Sequence, residues 1–85
     1  MKNESVSVGS KVTTLVDENA QRKYLRIVNA SSSTIFLGFD ENLTASQGSP
    51  IPANGVFEIR RGNMFKGAIY AITSSGTSDV RIMEF

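Results

Sequence analysis

Short runs in which apolar and polar residues alternate succeed one another along this chain, each closed by turn-forming residues. No stretch carries the 3.6-residue apolar period of an amphipathic helix. A period of two puts every second side chain on one side of an extended backbone, so each run reads as a half-buried strand. The runs cover residues 5–8, 11–16, 22–29, 34–39, 56–60, 68–73 and 79–85. Strands this short, returning at turn spacings of about 8–12 residues, predict an all-β fold. The expected architecture is a small antiparallel β-sandwich, jelly-roll or Greek-key-like, of seven to eight short strands.

The alternation assigns faces. Leu25 and Ile27 point one way, Tyr24, Arg26 and Val28 the other. Ile35, Leu37 and Phe39 share a side opposite Phe36 and Gly38. Phe57 and Ile59 turn inward, Glu58 and Arg60 outward. Ile69, Ala71 and Thr73 oppose Tyr70 and Ile72, while Val80, Ile82 and Glu84 oppose Arg81, Met83 and Phe85. Over 11–16, Val12, Thr14 and Val16 are expected on one side. Between the runs, 29–33 is rich in side chains that bond their own backbone, Asn54-Gly55 signals a tight turn, and Arg61-Gly62-Asn63 a further one. Gly76 is expected to supply a positive φ. The long segment 40–53 is irregular, with room for a short strand near Leu43-Thr44, and the prolines hold Pro50-Ile51-Pro52 extended. Residues 1–4 read as a flexible tail before a single domain over 5–85.

Eighty-five residues without a Cys form one small core with no disulfides, so stability comes from packing or from oligomerisation, and we favour the latter. The absence of His and Cys removes the usual zinc ligands and the base of a Ser–His–Asp triad, so the many Ser read as turn formers. Asp17/Glu18 and Asp40/Glu41 are sequence neighbours in polar connections and do not converge as an acid–base pair would. An EF-hand starting at Asp40 fails because its twelfth position is Ile51. The expectation is no enzyme, no cofactor and no metal. A net charge of +1 gives no field for a polyanion. Arg60-Arg61 and Lys66 near Phe57, Phe65 and Tyr70 form only a small basic footprint, which argues against nucleic acid. The apolar runs are far too short for a membrane helix, and the polar first residues lack the apolar centre of a signal peptide. Synthesis in the cytoplasm is expected.

Tyr24, Phe36, Phe65, Tyr70 and Phe85 are too many aromatics for one thin core, so some are expected at a partner surface. The edge strand over 5–8 is a candidate for addition to a neighbouring sheet.

Several segments together carry a resemblance: Arg22, Leu25, Ile27, Asn29 and Ser31; Ile35 to Asp40; Thr44 and Gly48-Ser49-Pro50-Ile51-Pro52; Asn54-Gly55; and Gly67 to Ile72 with Ser74-Ser75-Gly76-Thr77 and Val80 to Glu84. Over about residues 5–85 the chain resembles small all-β virion accessory proteins of tailed bacteriophages: head decoration, neck or tail components. The resemblance implies a structural protein located in the virion. It implies assembly with other virion proteins and as a homo-oligomer, and brings no catalytic or ligand residue with it. The competing expectation is a carbohydrate- or receptor-binding module on a virion surface, with Tyr24 or Phe36 as stacking platform.

Overall fold

The structure, a computed structural model, describes residues 2–60 and 65–85, with Lys2 as backbone only. The turn expected at Arg61-Gly62-Asn63, and Met64 after it, lie outside the described residues. Eight strands form among those described: β1 (Lys2–Val8), β2 (Thr13–Val16), β3 (Leu25–Asn29), β4 (Ile35–Gly38), β5 (Ser49–Ile51), β6 (Val56–Ile59), β7 (Ile69–Thr73) and β8 (Ser78–Glu84).

Every pairing is antiparallel. β1 pairs β8, β2 pairs β7, β3 pairs β6 and β4 pairs β5, as four nested pairs of one long double ribbon. Rolling that ribbon brings β8 against β3 and β7 against β4. The result is two four-stranded sheets, in the orders β1-β8-β3-β6 and β2-β7-β4-β5. This is jelly-roll wiring, the first of the two expected topologies.

The core lies between the sheets, and all eight strands contribute to it: Val8, Leu15, Val16, Leu25, Ile27, Ile35, Leu37, Ile51, Ile59, Ile69, Ala71, Val80 and Ile82. Each such side chain stabilises the fold by about 1.5–3 kcal/mol relative to exposure if it is large. Alternation explains most of this set, since β3, β7 and β8 bury every second residue.

Four expectations give way. Residues 2–4 continue β1, with Lys2 opposite Glu84 and Glu4 opposite Ile82, because β8 is long enough to pair them. In β2 the register shifts between Thr14 and Val16, and the two consecutive residues Leu15 and Val16 are both buried. A bulge of this kind breaks the period of two, so the Val12, Thr14, Val16 face does not form. β4 ends at Gly38, and Phe39 turns out to solvent instead of following Leu37 inward. Leu43-Thr44 lies outside any strand, and the added strand is β5, which contains Pro50. Proline is tolerated there because β5 is a sheet edge and needs no donor on its outer side.

Candidate functional site

Two buried polar residues hold the ends of the strands and thereby shape the surfaces. Arg22 is 2% exposed and precedes β3. Its Nε donates to Glu84 Oε2 (2.6 Å), Nη1 to the carbonyls of Phe65 (2.8 Å) and Gly67 (3.1 Å), and Nη2 to the Asp17 carbonyl (2.9 Å). One guanidinium thus ties the chain leaving β2, the chain entering β7 and the end of β8. Glu84 sits on the inward face, where alternation places it, and Arg22 is the cation that makes its burial tolerable. Asn29, fully buried at the end of β3, does the same elsewhere. Its Nδ2 lies within donor range of the carbonyls of Ser33 (2.6 Å), Ile51 (3.0 Å) and Pro52 (3.1 Å), and its Oδ1 accepts from Ser31 Oγ (2.7 Å). That joins the first sheet to β5 in the second. The adjacent turn closes from Pro52 to Gly55, with Asn54 at its third position and φ of 62°. Asn tolerates that conformation better than most residues.

The outer face of the first sheet is the larger candidate surface. Tyr24 and Phe85 stack with ring centroids 5.3 Å apart. Cross-strand register places Met83 beside Arg26, and Val28 between Arg81 and Val56. Val56 and Phe85 are about half exposed, at 50% and 47%. A shallow groove of about 550 Å³ runs across β8, lined by Asn3, Ser5, Arg26, Val28, Arg81 and Met83 among others.

Charges on this face are largely satisfied by their strand neighbours. Tyr24 donates its hydroxyl hydrogen to Glu58, and Arg60 Nε donates to the other carboxylate oxygen (2.7 Å). These bonds, the one from Tyr24 foremost, hold the Glu58 carboxyl below its ordinary value, and the same bond pushes the Tyr24 hydroxyl up. Asp79 accepts from Arg81 Nε (3.0 Å) and Nη2 (2.7 Å), which lowers its carboxyl and raises Arg81. Both ion pairs join residues two apart: Asp79 and Arg81 share a side of β8, and Arg60, just past the end of β6, reaches back to Glu58. Arg26 has no ion-pair partner among the described residues. The face therefore offers a partner aromatic and aliphatic area bordered by guanidinium groups.

A second candidate is an open cleft of about 680 Å³ at one end of the sandwich. Leu37, Ile69 and Phe57 form its apolar floor, and Asp40, Asn42 and Gln47 belong to its polar rim. Gly38 shapes it: a Cβ there would stand 2.5 Å from Leu43 Cδ1, so the lack of a side chain lets Leu43 seat against β4. The rim is partly committed to its own loop, with Asp40 Oδ1 accepting from the Asn42 amide (2.9 Å). Phe39, 59% exposed, packs on Phe65 at 4.3 Å between centroids and borders the cleft.

The five aromatics singled out in the sequence do not converge. Tyr24 and Phe85 lie on the outer face of the first sheet. Phe36 and Tyr70 lie on the outer face of the second, where Phe36 opposes Pro50 and Ile72, and Tyr70 opposes Gly38. Phe65 packs against the core. Of the basic-aromatic set, Arg60 is engaged with Glu58, Arg61 lies outside the described residues, and Phe57 and Phe65 are packed inward. The sequence reading missed Arg22 as a buried hub and Phe39 as an exposed ring. An inward Glu84 was a usable signal that a buried cation must exist, although nothing in the sequence pointed to Arg22. Among the described residues no group of three or more acidic, His or Cys side chains is placed to hold a metal ion, and no helix is long and apolar enough to cross a membrane.

No protein-family model matches the chain, and comparison with curated proteins and with solved structures finds no match.

Proposed function

We propose that this chain is a non-enzymatic structural subunit of a bacteriophage particle, a head-decoration, neck or tail accessory component that works by protein–protein assembly in the virion. The observation that carries this reading is the outer face of the first sheet. There Tyr24, Phe85, Met83, Val28 and Val56 sit among paired charges on a scaffold held from inside by Arg22 and Asn29. Aromatic, Met and Arg side chains at low net charge are the composition enriched at protein interfaces. Jelly rolls also serve viral capsid domains, which is support by analogy of fold alone. Mass spectrometry of purified particles of the phage that encodes the chain is the test. The reading expects the protein in fixed stoichiometry with a major capsid or tail protein; its absence from intact particles refutes the reading.

A second reading, a carbohydrate-binding module, is favoured by the cleft beside Phe39. Its size lies within the roughly 300–1,000 Å³ usual for small-molecule sites, and it combines an aromatic ring with amide and carboxylate groups. Titration with a glycan panel should then perturb the amide resonances of residues 38–49, and Phe39→Ala should abolish the effect while Tyr24→Ala spares it. No perturbation by any glycan at millimolar concentration rejects this reading.

A further inference from the structure

Each sheet has two edges, and the four edges are built differently. β5 has three residues, one of them Pro50, which cannot donate to a further strand. β2 has four residues and carries the register shift. β6 has four residues. β1 runs for seven residues, without proline, in unbroken register with β8. Short length, proline, bulges and charged residues are devices by which proteins blunt sheet edges against pairing; β1 has none of the first three, and its charges, Lys2 and Glu4, are confined to its first three residues. Its outward-facing residues are Asn3, Ser5 and Ser7, all exposed and all small enough to let another backbone approach.

We propose that β1 pairs with β1 of a second copy of this chain, antiparallel about a two-fold axis through Ser5, to make one continuous eight-stranded sheet. This rests on the reading that the protein acts by assembly. A two-fold pairs the strand with itself, so the sequence fixes what meets what. Residues directly opposite one another share a side of the sheet. Centring on Ser5 uses the whole strand: Ser5 opposes Ser5, Asn3 opposes Ser7, Glu4 opposes Val6 and Lys2 opposes Val8. No like charges face each other in this register. Centring on Glu4 would put two carboxylates opposite one another, and centring on Asn3 or Val6 shortens the overlap. Glu4 lies on the side of Val6 and Val8 yet is exposed. Val6, packed against the core but only half-buried, gains cover.

The seam is about 24 Å long, from seven residues at roughly 3.4 Å each. It is too narrow by itself for the roughly 1,200–2,000 Å² of a standard stable interface, so the isolated dimer is weak and gains strength from repetition on a particle.

The chain has no Cys, so single cysteines report the register without background. With oxidised glutathione as the acceptor, Ser5→Cys should form a covalent dimer in high yield at concentrations where light scattering shows the wild type dimeric. Asn3→Cys and Ser7→Cys should each stay uncrosslinked, and mixing these two should give a crosslinked pair. Ser5→Lys, at an exposed position, should leave the circular dichroism spectrum and melting temperature unchanged and leave the protein monomeric. A wild type that dimerises while Ser5→Cys does not crosslink overturns the β1 seam and spares the assembly reading. A wild type that is monomeric with no Ser5→Cys crosslink overturns the seam, and particle composition then judges assembly with other proteins separately.

Discussion

Arg22 and Glu84 form a buried ion pair, at 0% and 9% side-chain exposure, and the guanidinium also satisfies three backbone carbonyls. Removing one partner strands the other charge in the interior, which costs about 3–5 kcal/mol. That is a large fraction of the roughly 5–15 kcal/mol by which a domain is stable. Arg22→Met should therefore lower the unfolding free energy by about 3–5 kcal/mol, while Arg22→Met combined with Glu84→Leu should recover part of the loss, as read by urea denaturation. Asn29 offers a sharper test because Asp is nearly isosteric with it. Asn29→Asp replaces an amide donor facing three carbonyls with a carboxylate facing them, and should cost more than the about 1–3 kcal/mol of an ordinary unsatisfied buried group. Glu58 and Asp79 titrate on the surface. Their carboxyls are depressed in the folded state, Glu58 chiefly by Tyr24 and Asp79 chiefly by Arg81. Their contribution is present above the unfolded values near pH 4 and fades as pH falls through the lower folded values. A thermal-melting series should thus show stability declining below about pH 4, and Glu58→Gln should flatten that decline. The gain is small, since both groups are exposed.

At the scale of elements, two glycines give a graded prediction. The three atoms nearest a Cβ on Gly38 all belong to the side chain of Leu43, whereas one on Gly48 would stand 2.6 Å from Phe36 Cβ and 3.2 Å from backbone atoms of residues 36 and 37. Leu43 can rotate aside; strand β4 cannot. Gly48→Ala should therefore lower the melting temperature clearly more than Gly38→Ala, by differential scanning calorimetry. The same contrast explains what the sequence made legible. β3, β7 and β8 follow a strict alternation, and their buried residues were readable from it. β2 was misread because a bulge adds one residue to the count, which no local pattern announces. Phe39 was misread because β4 ends one residue early, where Leu43, from the loop that directly follows, closes over Gly38. The five aromatics were visible as an excess, but their division among two outer faces and the core depends on which strands become neighbours. Gly76, with φ of 72°, was readable because only its own backbone demanded it.

For the whole molecule, the wiring sets both folding and use. β1 must find β8 and β2 must find β7 across most of the chain, so nearly every pairing is non-local. Such topologies fold in milliseconds to seconds. What results is a slab of 33 × 23 × 17 Å whose buried polar hubs fix its surfaces and whose longest edge is left open. The proposed assembly has this slab meeting other copies of itself. Sedimentation velocity of the wild type across a range from micromolar to millimolar tests it most directly. Pairing of copies predicts a reversible, concentration-dependent rise in mass from one copy to two; a single monomeric boundary throughout that range would contradict it.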